Sequence, residues 1–264
     1  MEDMTLRTLL AGCATFSTLL AQTAAAPKDS AASNTRALIE ELVIANHILS
    51  TEAVLDAYGH VSVRNPGNPN HYFLARGIAA GTVTERDIVE YDLDSQPVAP
   101  NAPQGFIERY IHGEIYRTRP DVMAIVHCHA PEVIPFAASS VPLLPISHMA
   151  GYLGEGVPLF EIRNAGGMTD MLIRTPALGR ALAETLHDKP AALMRGHGAV
   201  VVAPNLHVVV GRAYYLSFNA RAQLQAVMLG GKVTYLDPEE ARKAAPQDGF
   251  ERAWDFWKRK VSAK

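Results

Sequence analysis

Cysteine is scarce in this chain of 264 residues: there are two, Cys13 and Cys128. Such a pair gives no disulfide framework, least of all if Cys13 departs with a cleaved leader. Stability then has to come from packing, a bound metal or association of subunits. An excess of charge of one sign is also missing. With 24 Lys and Arg against 27 Asp and Glu the formal net charge is −3, which offers nucleic acid no basic field. Past the N-terminal stretch no apolar run approaches the roughly 18 residues that a membrane-spanning helix needs, and there are no heptads, repeats or low-complexity tracts. What is there is a globular composition, 48% hydrophobic and 19% charged, long enough for one large domain.

The N-terminus reads differently from the rest. "MTLRTLLAGCATFSTLLAQTAAAPKDSAAS" has one arginine, an apolar stretch, small residues with cleavage spacing and then a polar segment. That is the pattern of a secretory signal peptide over residues 1–25, cut after Ala24 or Ala25, followed by a linker over 26–35 and a domain over 36–264 with a helical tail. It implies a periplasmic or secreted protein, or a cytoplasmic one if the leader does not function. Glu2 and Asp3 interrupt the positive start unless Met4 begins the chain.

Hydrophobic periodicity orders the remainder. "NTRALIEELVIANHILSTEAVLDA" has helical spacing, with Asn34 or Thr35 as N-cap. "GHVSVR" and "HYFLA" alternate as strands around the turn cluster "NPGNPN", giving a hairpin. "VTERDIVEYDLD" places a capped turn before another strand. "GFIERYIHGEIYRTRP" is helical up to Pro120, and "VMAIVHCHA" is a buried strand. "PALGRALAETLHDKP" is a helix ended by Pro190, "AALMRGHGAVVVAP" two strands about a glycine turn, and "VVVGRAYYLSFNARAQLQAVMLGG" a long helix closed by glycines. The tail forms an amphipathic helix whose Trp254 and Trp257 pack on the domain or on a neighbouring subunit. Short connections favour antiparallel pairing, so the reading is one α/β domain with a central sheet covered by helices.

Ten histidines is a high count. His127 and His129 flank Cys128, and alternate strand residues share a face, so the two imidazoles converge while the thiol turns away. They can hold one metal ion or be two polar core residues. His197 lies in "RGHGAV", where glycines let backbone approach closely and free the ring to point into a cavity. Glu108 stands one helical turn before His112. Three histidines with an open position and a nearby carboxylate make a catalytic metal pattern.

"GHVSVR", "TERDIVEYDLD", "ERYIHGEIYRTRPDVMAIVHCHAPE" and "LMRGHGAVVVAP" together resemble, in order and spacing, the class II aldolase/adducin family over about residues 36–232. The resemblance implies a three-layer α/β/α fold around a mostly antiparallel sheet. It also implies one divalent metal ion per subunit and a homotetramer with active sites at subunit interfaces. By position it assigns His127, His129 and His197 as metal ligands, and Glu108 as both ligand and catalytic acid/base. Zinc suits that donor set first, with manganese and cobalt compatible.

Departures from the family's patterns narrow the implied chemistry. The segments that cradle a sugar phosphate in the aldolases here carry His60, Arg76, Phe106 and Ile107, and a phosphate against Phe and Ile without donors would be costly. Ala150 replaces the second acid/base of the epimerases. "FIERYIHGEIY", "PISHMAGYLG" and "LMRGHGAVV" most resemble the branch of pyridine and aromatic carboxylate decarboxylases, which includes the 3-hydroxy-2-methylpyridine-4,5-dicarboxylate decarboxylase. The implied function is therefore a metal-dependent carbon–carbon lyase that decarboxylates a hydroxylated aromatic or heteroaromatic acid. A class II aldolase acting on a non-phosphorylated hydroxy-oxo substrate is the alternative, and a non-catalytic adducin-like interaction module the second. His60, Arg76, His148 and Tyr152 are the expected substrate-binding residues, with Arg76 pairing a second carboxylate. His112 is expected to be a structural hydrogen-bonder.

Overall fold

The alternation in "GHVSVR" and "HYFLA" becomes a hairpin, β1 (His60–Arg64) and β2 (His71–Ala75), with Ser62 opposite Leu74 and Arg64 opposite Tyr72. A computed structural model describes residues 28–154, 156–246 and 249–263. The leader expected over 1–25 lies outside the described residues. The described part of the expected linker is helical: α1 runs Lys28–Thr51, starting ahead of Asn34 and Thr35. No glycine or proline stands between Lys28 and Thr35 to stop the helix from extending N-terminally.

β3 (Ile88–Asp92) pairs with β2, and Thr84 and Asp87 form the capping box just before it. α2 (Tyr110–Thr118) ends ahead of Pro120, since the residue before a proline avoids helical dihedrals; Arg119 has φ −126° and ψ 83°. β4 (Ala124–Cys128) is followed by the one-turn α3 (Ile134–Ala137), the two-residue β5 (Leu159–Phe160) and the short α4 (Arg163–Gly166). α5 (Pro176–Leu186) begins with Pro176 and a Thr175 side chain that accepts the Leu178 N–H. β6 (Ala191–Met194) and β7 (Gly198–Ala203) form the second hairpin. α6 (Leu206–Met228), capped by Asn205, α7 (Pro238–Ala244) and α8 (Glu251–Ser262) complete the order.

The sheet has the order β3-β2-β1-β4-β7-β6-β5, and every pairing is antiparallel except β5 with β6. Alternation sends Val61, Val126, Cys128 and Val201 to one face, where α1, α6 and α8 pack; Tyr72, Ile125, Val200 and Val202 go to the other, beneath α2 and α5. The architecture is thus three-layer α/β/α with a mostly antiparallel sheet, as expected. Trp254 and Trp257 are buried against the α1/α6 layer of this same chain. The sequence reading did not anticipate β5 or α7, and "HMAGYL" forms a 3-10 segment, His148–Leu153, packed on α6 and α7.

Candidate metal centre

β4 sits centrally, between β1 and β7. His127 occupies its penultimate position, on the face toward α2, and His129 lies just past the strand end on the same side. The β6–β7 turn brings His197 alongside. Gly196 there has φ +60°, and a Cβ on Gly198 would lie 2.0 Å from the Cys128 carbonyl oxygen. Only glycine permits so close an approach of β7 to β4, and that approach seats His197 beside His129. Glu108 comes from across the face, at a break between a 3-10 turn and α2 where its backbone has φ −88° and ψ 17°.

These four residues offer ligand atoms within 4.8 Å of one another. His129 Nε2 lies 3.0 Å from His127 Nε2 and 3.1 Å from His197 Nε2. Glu108 Oε2 is 3.4 Å from the Nε2 atoms of both His127 and His197. Every imidazole has its other nitrogen committed: His127 Nδ1 to Ala199 O at 3.2 Å, His129 Nδ1 to the Asp56 carboxylate at 3.1 Å, and His197 Nδ1 to Met171 O at 3.0 Å. Carbonyl and carboxylate oxygens only accept, so each Nδ1 carries the proton and each Nε2 turns a lone pair inward. Three lone pairs and a carboxylate converging on one point repel unless a cation lies between them. Tetrahedral coordination with ~2.1 Å bonds separates neighbouring donors by about 3.4 Å, close to the spacing found. The donor set fits a divalent metal ion.

The charges within the cluster agree with that reading. Burial pushes the Glu108 carboxyl up, but hydrogen bonds and attraction from His127 and His197 outweigh it and hold the group well below the usual carboxylate range. Its Oε1 accepts the Ile173 N–H at 2.8 Å, leaving Oε2 for the cluster. Burial and His127 lower His129, whereas Glu108 raises His197 against the opposing effect of burial.

Of the expected substrate residues, His60 adjoins the cluster. Its ring centroid is 5.1 Å from that of His127 and 4.4 Å from that of Phe106, and the residue is buried. Arg76 is instead engaged by Asp87, Nε to Oδ1 at 2.7 Å. His148 is exposed on the rim of a cavity of about 740 Å³ lined by Tyr214, Tyr215 and Trp257. Tyr152 donates its hydroxyl to Arg212 O at 2.6 Å and lines a different cavity with Arg119. Within one chain His148 and Tyr152 are not gathered at the cluster, because the His148–Leu153 segment packs on the α6/α7 side.

Residues missed in the sequence complete the surroundings. Asp56 orients His129 and accepts the Tyr58 and Gly59 N–H groups, an Asx turn whose signal in the sequence is "DAYG". Behind His60 runs a buried chain of polar groups. His60 Nδ1 and His112 Nε2 are 2.7 Å apart, His112 Nδ1 and Ser62 Oγ 2.6 Å, Ser62 Oγ and Tyr116 Oη 2.8 Å. Burial above all keeps His60 well below the ordinary histidine value, and carries His112 down to about 3. His112 is thus a hydrogen-bonder, as expected, but within a network that reaches the centre.

The sequence profile described as Class II Aldolase and Adducin N-terminal domain matches residues 40–224. The chain is 38% identical over 240 residues to the decarboxylase tropJ of Talaromyces stipitatus, covering 81% of this chain and 90% of that protein. It is 25% identical to the 3,4-dihydroxyphthalate decarboxylase of Arthrobacter keyseri, covering 84% and 92% respectively. Among solved structures, the L-fuculose 1-phosphate aldolase of Glaciozyma antarctica superposes with a TM-score of 0.71 at 20% identity, covering 88% of this chain and 91% of that one, a likeness of fold.

Proposed function

This chain belongs to the class II aldolase and adducin family, and on that premise we propose that it is a metal-dependent carbon–carbon lyase that decarboxylates a hydroxylated aromatic or heteroaromatic carboxylic acid. The observation that carries the reading is the convergence of the His127, His129 and His197 Nε2 atoms with Glu108 on one point, with the His60 ring, which packs on Phe106, beside His127. The names of the relatives, decarboxylases of which one acts on a dihydroxyphthalate, support the choice of reaction. A divalent ion bound there, zinc or alternatively manganese or cobalt, would supply Lewis acidity to a hydroxyl and a neighbouring carboxylate of the substrate.

The chain's own residues then divide the work. His127, His129 and His197 hold their lone pairs in place through Ala199, Asp56 and Met171. Glu108 accepts the hydroxyl proton as the substrate docks and returns it to the ring carbon as that carbon's bond to the carboxylate breaks and carbon dioxide leaves. Phe106 and Ile107 give an aromatic ring an apolar wall, and His60 faces its polar edge. A homotetramer with sites between subunits accommodates His148 and Tyr152, which a single chain holds elsewhere.

Aldol cleavage of a non-phosphorylated hydroxy-oxo acid is the second reading, favoured by the aldolase fold and by the same build-up of negative charge on carbon. The deciding experiment incubates zinc- and manganese-loaded protein with dihydroxyphthalates and with hydroxy-oxo acids, assaying carbon dioxide and aldehyde. Carbon dioxide from the aromatic acids is expected; aldehyde without carbon dioxide reverses the assignment. Absence of stoichiometric metal by elemental analysis, with neither product formed, supports a non-catalytic adducin-like module.

A further inference from the structure

The Tyr116–Ser62–His112–His60 chain is longer than positioning one ring requires, and each member is almost wholly buried. Burial of two adjacent imidazoles disfavours charge on either. A chain of neutral groups, each with one proton to give, can be hydrogen-bonded in two directions. In one, every donor points from Tyr116 toward His60; in the other, all point back.

Tyr116 chooses between them. Pointing back, its hydroxyl must donate to Met123 O at 3.5 Å, the edge of hydrogen-bond distance, and that oxygen already accepts the Arg64 N–H at 2.8 Å. Pointing forward, it donates to Ser62 Oγ at 2.8 Å. The Arg64 guanidinium stacked 4.6 Å from the Tyr116 ring centroid makes the phenol a stronger donor. Ser62 Oγ then donates to His112 Nδ1, and His112 Nε2–H donates to His60 Nδ1. The only remaining place for the proton of a neutral His60 is Nε2, at the opposite end of the ring.

We propose that Tyr116, Ser62 and His112 are positioning residues that fix His60 as a neutral imidazole with an Nε2–H donor for the substrate. The metal-binding nitrogens are lone pairs, so His60 supplies the opposite polarity beside them. The ligand it selects carries an acceptor oxygen, a carboxylate or an ionised hydroxyl, next to the pair that chelates the metal. An N–H there would meet a donor with a donor, and a neutral hydroxyl would accept more weakly than an anionic oxygen. The preference for an anionic oxygen rests on the proposed substrate site; the direction of the chain does not.

The test is nitrogen-15 NMR of zinc-loaded protein labelled at histidine, with His60→Gln and His112→Gln used to assign the rings. Both His60 and His112 are expected as Nε2–H tautomers. A proton on Nδ1 of either ring, or an imidazolium, overturns the proposal. Ser62→Ala should convert His60 to a tautomer mixture, and Ser62→Thr, which keeps the hydroxyl, should restore the single form. Unchanged tautomers in Ser62→Ala overturn the assigned role of the chain, and if that variant does not fold the wild-type tautomers still decide. Addition of 2,3-dihydroxybenzoate should shift the His60 Nε2 resonance, and Ser62→Ala should bind this probe about tenfold more weakly at unchanged zinc content. An unmoved resonance at saturation overturns the substrate-facing half. None of these readouts needs turnover, so a protein that releases no carbon dioxide refutes the decarboxylase reading alone.

Discussion

Asp56 holds the far nitrogen of His129: its Oδ2 lies 3.1 Å from Nδ1, while the ring's other nitrogen faces His127 and His197. The carboxylate is itself fixed by the Tyr58 and Gly59 N–H groups, so ring and carboxylate are oriented together. Asp56→Ala should weaken metal binding by about 10- to 100-fold, as is usual for loss of a partner that orients a ligand. Competition with a chromophoric chelator measures this. Affinity within a factor of two of wild type would show that His129 needs no such support.

Metal should also stabilise the fold. At a free concentration 100 times the dissociation constant, a site present only in the native state adds about 2.7 kcal/mol, or a rise in Tm of roughly 5–10 °C for a chain of this size. Differential scanning fluorimetry with and without dipicolinate reads the difference. In His127→Ala the chelator-dependent shift should vanish, whatever that buried substitution does to the baseline.

Gly198→Ala places a methyl 2.0 Å from the Cys128 carbonyl oxygen, and backbone on backbone leaves no rotamer for escape. A loss of about 1–3 kcal/mol is expected in urea unfolding, together with a fall in bound metal by elemental analysis as His197 is displaced. A drop in stability with full metal content would separate the turn's structural role from its placement of the ligand.

On α6, His207 lies 2.9 Å from the Glu251 carboxylate and stacks on Trp254, with ring centroids 4.1 Å apart. Burial works against protonation, but Glu41 and Glu251 outweigh it and raise the group above 6.5. A folded-state value above the unfolded one contributes stability that is present in full below about 6.5 and is lost as pH rises through the folded value. The urea midpoint of wild type should therefore fall more steeply over that interval than the midpoint of His207→Gln. Parallel pH profiles for the two proteins would refute the linkage.

The strand alternation that put His127 and His129 on one side, and the glycines around His197, were legible because each is a local consequence of backbone period and Cβ sterics. The antiparallel sheet followed from short connections in the same way. What lay hidden depends on tertiary closure. Ala199 and Met171 act through main-chain carbonyls, which no residue type announces. Arg76 looked free for a carboxylate; yet Asp87, legible only as a cap for the turn before β3, has a second oxygen that takes the guanidinium. His148 and Tyr152 sit in a segment with no clear period, and its docking on α6 and α7 decided where they went.

The thiol of Cys128 sits in the central strand between His127 and His129, on the opposite face of the sheet, and burial pushes it up to about 11. In the closed protein it is both shielded and protonated, which makes it inert toward alkylating reagents. The rate at which iodoacetamide marks the peptide containing it therefore counts openings of the middle of the sheet, and slower marking on adding metal would time how firmly an ion on one face clasps the strand from behind.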